Sequence, residues 1–172
     1  TCALPICFER ALAYVDGFGN QVHMITFGNA QGPVSIIAEG IVEVEDVAGV
    51  VRGLDCPAPD AVFLRFTKPT AANTALRSLA DRQFSGRTVL DGLHALMAEI
   101  HARVAYETGA TDAHTTAAEA FADARGVCQD HAHIFIAAAR AAGIPARYVT
   151  GYLVTGAGAS STARSEEHTS EL

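Results

Sequence analysis

Gly126-Val127-Cys128-Gln129-Asp130-His131-Ala132-His133 is the stretch that decides how this chain is read. A cysteine two residues after a glycine opens an apolar run. Ala132, Phe135, Ile136, Ala139 and Ala142 recur at helical spacing, as the buried stripe of a helix would. Gly143 suits the position just past that helix, and Pro145 prevents its continuation. Cys128 therefore stands at or beside a helix N-terminus, where unpaired amides favour thiolate over thiol. The thiolate is the competent nucleophile. Gly126 permits a tight entry and a close backbone approach, and the open amides of the first turn are placed to stabilise an oxyanion. Taken alone these features do not decide, since a lone cysteine beside an apolar helix is more often packing filler.

Working outward, Ala146 to Val154 reads as a strand, with Tyr148, Thr150 and Tyr152 on one face. Upstream, Thr116 and Glu119 have the spacing of a capping box that opens another helix. Leu90, Leu93, Met97, Ile100 and Val104 predict the inner face of a helix before that. The helical pattern begins near Ala71, after a proline-bearing linker at 53–60 and an extended segment over Ala61–Phe66. Residues 8–60 read instead as strands and turns. Asp16-Gly17 and Gly19-Asn20 carry turn chemistry, followed by β runs at Val22–Phe27, Val34–Ala38 and Ile41–Val44. Alanine use follows the same division, with 7 in residues 1–60 and 22 in residues 71–146.

The formal net charge of −7 argues against a nucleic-acid partner, which calls for a basic face. Hydrophobic content of 49% against 18% charged residues supports a packed core rather than disorder. No apolar run has membrane-spanning length and no secretory leader is visible, so the expected location is cytoplasmic. The four cysteines, Cys2, Cys7, Cys56 and Cys128, show no metal-like pairing and are expected to be reduced.

The string from Gly126 to His133, continued by Arg140-Ala141-Ala142-Gly143-Ile144-Pro145-Ala146-Arg147-Tyr148-Val149-Thr150-Gly151-Tyr152-Leu153, closely resembles the nucleophile helix and following strand of the transglutaminase-like superfamily of cysteine enzymes. Thr111, Thr115 and Glu119 resemble that family's approach to the nucleophile. Asp16-Gly17-Phe18-Gly19-Asn20-Gln21-Val22-His23 looks like the β-rich region that precedes the core in bacterial members. The resemblance implies an α+β, papain-like core over residues 67–163, incomplete, preceded by a small antiparallel β domain over residues 8–66. It implies acyl transfer from an amide or peptide bond through a thioester on Cys128, more often to water than to an amine. It implies a protein or peptide substrate, no cofactor and no metal. The family also uses a histidine and an aspartate on later strands; by position, only Cys128 maps onto that triad.

Other readings of the same residues are weaker. His131 and His133 ride on the cysteine's own helix, on different faces, and suit neither the base nor a metal site. Asp130 reads as a structural carboxylate, paired with Arg147. Tyr148 and Tyr152 read as sheet packing, and His23, His94, His101 and His114 as solvated or satisfied residues. The rival to an enzyme is a binding or scaffold module that keeps the fold without the chemistry.

The ends read differently from the rest. Arg164-Ser165-Glu166-Glu167-His168-Thr169-Ser170-Glu171-Leu172 resembles the conceptual translation of a sequencing adapter, and Thr1-Cys2-Ala3-Leu4-Pro5-Ile6 that of its counterpart. On this reading residues 1–7 and 164–172 are artefactual. The chain then stops before the catalytic histidine and aspartate, His168 is a decoy, and the fragment is inactive.

Overall fold

The computed structural model describes residues 12–25, 41, 43, 51, 53, 56–153 and 164–167. The chain divides into two compact units, Thr1–Asp46 with Arg52–Ala58, and Val47–Val51 with Pro59–Leu172.

In the first unit, β1 (Leu12–Val15) and β2 (Gln21–Met24) form an antiparallel hairpin, with Leu12 opposite Met24 and Val15 opposite Gln21. The Asp16 carboxylate makes the turn. It accepts from the Phe18 amide at 2.8 Å and from the Asn20 amide and side chain at 2.9 Å each. Those donors, the Asn20 side chain foremost, hold Asp16 below its ordinary carboxyl value. Gly19 supplies the positive φ of 85° that closes the turn. The expected strand Val34–Ala38 lies outside the described residues, as do Val42 and Val44 of Ile41–Val44.

The second unit is helical, with short strands at its margins. Where the sequence predicts an extended 61–66, the chain forms the single turn α1 (Asp60–Phe63). Pro59 caps it in an extended conformation and Asp60 puts a carboxylate in the first turn, and one turn suffices to bury Phe63. Next come α2 (Thr74–Phe84), capped by Asn73, and α3 (Val89–Arg103), capped by Thr88. The buried seam of α3 runs through Gly92, Leu93, Leu96 and Ile100 to Val104. The expected stripe is thus corrected. Leu90 and Met97 stay 47% and 57% exposed, because a 100° step per residue carries them roughly 60–80° off the centre of that seam. Gly92 belongs to the seam because the Phe84 ring lies directly on it, where a Cβ would stand.

Strand β3 (Ala105–Tyr106) pairs in parallel with β4 (Arg125–Gly126). Between them lies α4 (Ala117–Asp123), whose Thr116–Glu119 capping box is formed as its spacing requires. Helix α5 (Cys128–Ala141) packs against α2, α3 and α4, burying Ala132, Ile134 and the run Ile136–Ala139. Its end is the expected one: Ala142 caps it and Gly143 follows at φ 78°.

The last strand starts later than the sequence predicts. β5 (Thr150–Leu153) pairs antiparallel with β6 (Arg164–Glu167), Thr150 opposite Glu167. Residues 146–149 are held otherwise, since the Ala146 amide donates to the Phe63 carbonyl at 3.2 Å and its carbonyl accepts from Arg140. β6 is drawn from the nine residues set apart above on their resemblance to adapter translation. Among the described residues no helix is long and apolar enough to cross a membrane.

Candidate active site

Cys128 is the first residue of α5, and its side chain is partly exposed. The approach is tightly built. Ala124 takes a left-handed conformation (φ 55°) at the end of α4, and only β4 and Val127 separate it from the cysteine. Val127 is the N-cap, yet it has no side-chain oxygen with which to cap. Asp130 does that work from the third helical position. Its Oδ2 accepts from the Val127 amide at 2.7 Å, while its own amide donates to the Val127 carbonyl at 3.0 Å. The Cys128 and Gln129 amides are left without an acceptor inside the helix, as first-turn amides are.

Asp130 is only 1% exposed, and it is held from a second direction: Thr111 Oγ1 donates to the same Oδ2 at 2.5 Å. The expected partner was Arg147. The structure instead gives the carboxylate to Thr111 and the Val127 amide, and sets the Arg147 guanidinium 5.8 Å from the centre of the Phe63 ring. Nothing in the sequence around Thr111 signals that it reaches Asp130 across 19 residues.

The two histidines of the helix do different things. His131 Nδ1 lies 2.9 Å from the Val127 carbonyl and Nε2 3.0 Å from the Val104 carbonyl. Whichever nitrogen carries the proton, both ring nitrogens face backbone carbonyls. Exposed Tyr106 stands beside it, ring centres 6.4 Å apart. His133 points elsewhere, its ring 5.6 Å from that of Tyr148. Neither the buried His133 Nδ1 nor the buried Tyr148 hydroxyl has a hydrogen-bond partner among the described residues. Burial pushes His133 below the ordinary imidazole value, with the Asp130 charge pulling the other way.

This sets a pH dependence. The folded state disfavours the imidazolium, so below about pH 6.5 the unfolded chain binds the additional proton. Stability should be level above neutrality and decline as pH falls through that value. The lowered carboxylates Asp112 and Glu119 act in a separate, more acidic window. Their contribution is present above their ordinary values and lost as pH falls through the depressed ones. Urea midpoints across pH 5 to 8 should slope for the parent and lie flat for His133→Gln; an equal slope in both would remove His133 as the cause.

His23, His94, His101 and His114 are exposed, as expected of solvated residues. Cys56 is exposed and Cys128 is a free thiol, while Cys2, Cys7 and His168 lie outside the described residues. Tyr148 packs beside Leu93, Ile136 and Ala139, as the packing reading has it, though its hydroxyl is left over. No group of three or more histidine, cysteine or acidic side chains among the described residues is placed to hold a metal.

A partly exposed thiol opening a central helix, its N-cap amide held by a buried carboxylate, with short strands on either side, defines an α+β fold of the cysteine-enzyme type. The transglutaminase-like superfamily model matches residues 77–169, more than half of the chain, and the chain belongs to that superfamily. A solved structure described as a "Putative Cysteine Protease" from Cytophaga hutchinsonii superposes with a TM-score of 0.54 at 30% identity, over 69% of this chain and 40% of that one. That likeness supports the papain-like core. Among curated relatives, an uncharacterized protein of Mycobacterium leprae is 28% identical over 152 residues, 84% of this chain and 54% of its own length. An uncharacterized protein of Mycobacterium tuberculosis is 35% identical over 101 residues, 56% of this chain and 32% of its own length. The chain thus spans about half, or less, of the relatives it matches.

Proposed function

We propose that Cys128 is the nucleophile of an acyl-transfer enzyme acting on amide or peptide bonds, with water as the usual acceptor. The observation that carries this reading is the placement of the thiol at the first position of α5, beside the open Cys128 and Gln129 amides. The thiolate would attack the carbonyl carbon, and those amides would receive the oxyanion. Collapse breaks the carbon–nitrogen bond, the amine leaves with a proton, and a thioester remains for water to cleave. A base must take the thiol proton and return it to the amine. Neither His131, tied to two carbonyls, nor His133, set against Tyr148, suits that part. In our reading the base and its orienting carboxylate come from outside the described residues.

The test is alkylation by iodoacetamide at neutral pH, read peptide by peptide. Cys128 should react faster in the folded chain than in urea, each rate being read against N-acetylcysteine in the same solvent. Peptide-amide turnover by these 172 residues should not exceed that of Cys128→Ser. Turnover above that level would overturn the assignment of the base to another segment. A Cys128 no faster folded than unfolded would favour a scaffold that retains the fold without the chemistry.

A further inference from the structure

We infer that Thr111 and Asp130 form a positioning pair that sets the reactivity of Cys128, an inference that rests on the nucleophile reading above. Asp130 and Thr70 are the two buried polar residues among those described. A buried carboxylate is costly to retain unless hydrogen bonds repay its lost hydration. Asp130 spends those bonds at one place. Its carboxylate holds the Val127 N–H and its amide holds the Val127 carbonyl, so both backbone polar groups of the residue that enters Cys128 are held by one residue. Cys128 is enclosed in the ring so formed. A helix whose N-cap carried its own side-chain oxygen would have less need of this arrangement, and Val127 has none.

The second donor distinguishes this pair from an ordinary cap. Thr111 Oγ1 binds the same Oδ2 that holds Val127, fixing the carboxylate rotamer and drawing off its negative charge two residues from the thiol. Gly126 completes the fit, since a Cβ there would lie 2.6 Å from both Cβ and Oδ2 of Asp130. Thr111 sits in the segment between β3 and α4, on neither the nucleophile helix nor its strand, and an anchor from there lets that segment govern the thiol. Without the hydroxyl, the carboxylate keeps its charge less shared and the turn less fixed. Both effects disfavour a thiolate at the helix start.

The test is the iodoacetamide rate at Cys128 in the full chain at pH 7, read against N-acetylcysteine in the same solution. Thr111→Val, which preserves shape, should slow Cys128 about three- to fivefold, the size of a helix-terminus charge effect. Thr111→Ser, which restores the hydroxyl, should return the parental rate. Asp130→Asn keeps an oxygen acceptor and removes the charge; it should react at the parental rate or faster, and it carries the test if the valine variant fails to fold. A parental rate in Thr111→Val, no rescue by serine, or a slowed Asp130→Asn overturns the positioning role while the parent's folded-state advantage stands. Loss of that advantage in the parent itself would instead overturn the nucleophile reading.

Discussion

Gly126→Ala is expected to destabilise the helical unit by about 3 kcal/mol or more, read as a lower urea midpoint at unchanged slope. The new methyl would stand 2.6 Å from Asp130 Cβ, an atom that cannot swing aside without moving the first turn of α5. Overpacking of this kind typically costs about 1–3 kcal/mol. Relief by displacing Asp130 would strand the buried Val127 amide and the Thr111 hydroxyl, and each lost partner costs about as much again. Gly109→Ala makes the informative contrast. Its Cβ would meet nothing within 4 Å, but its φ of 81° disfavours any side chain, so about 1 kcal/mol is expected there. The two variants separate contact from conformation. If Gly126→Ala unfolded within 0.5 kcal/mol of the parent, the close approach of Asp130 to the backbone would be wrong.

That contact illustrates what could be read from the sequence. The start of α4 and the end of α5 were legible because their signals are local. Glu119 finds Thr116 three residues away, and Gly143 and Pro145 stop α5 where they stand. Gly126 was also legible as a tight entry, but the atom it makes room for was not. Asp130's partners lie 3 and 19 residues away, and the choice between Thr111 and Arg147 depends on how the 107–116 segment folds back. Charge alone favoured Arg147; geometry favoured a hydroxyl.

The same limit explains α3 and the late start of β5. Leu90 and Met97 fit an apolar period of seven, but which side of that arc is buried depends on where α2 and α5 lie. Residues 146–149 alternate like a strand, and β-branched and aromatic character supports one. Ala146 is held instead by bonds to Phe63 and Arg140, contacts that no periodicity reveals.

Arg140 is where these distant contacts meet, and its removal is the second large effect expected. Its Nε and one terminal nitrogen donate to the Ala146 carbonyl at 3.0 and 2.6 Å. The other terminal nitrogen donates to the Arg65 carbonyl at 2.8 Å and to Thr70 Oγ1 at 2.9 Å. The guanidinium thus ties the segment after α1 to the end of α5 and to the entry of β5. Two backbone bonds extend the junction, Ala146 to Phe63 and Ala117 to Pro69, so α4 is drawn in as well. Burial weakens the hold of Arg140 on its proton, yet an arginine stays charged, and carbonyl dipoles solvate it here in place of water. Arg140→Ala should cost about 3 kcal/mol, on the order of two charge-assisted hydrogen bonds, since the remainder are partly replaced by water. Arg140→Lys should recover less than half of that loss, because a single ammonium cannot span the planar fork between Ala146 and Thr70. The loss should also be regional. In hydrogen exchange the Ala146 amide should open earlier than the amides of α3 around Ile100, which packs in a different buried cluster from Ala146. Equal recovery by lysine would mean that charge suffices and that the fork geometry does not matter.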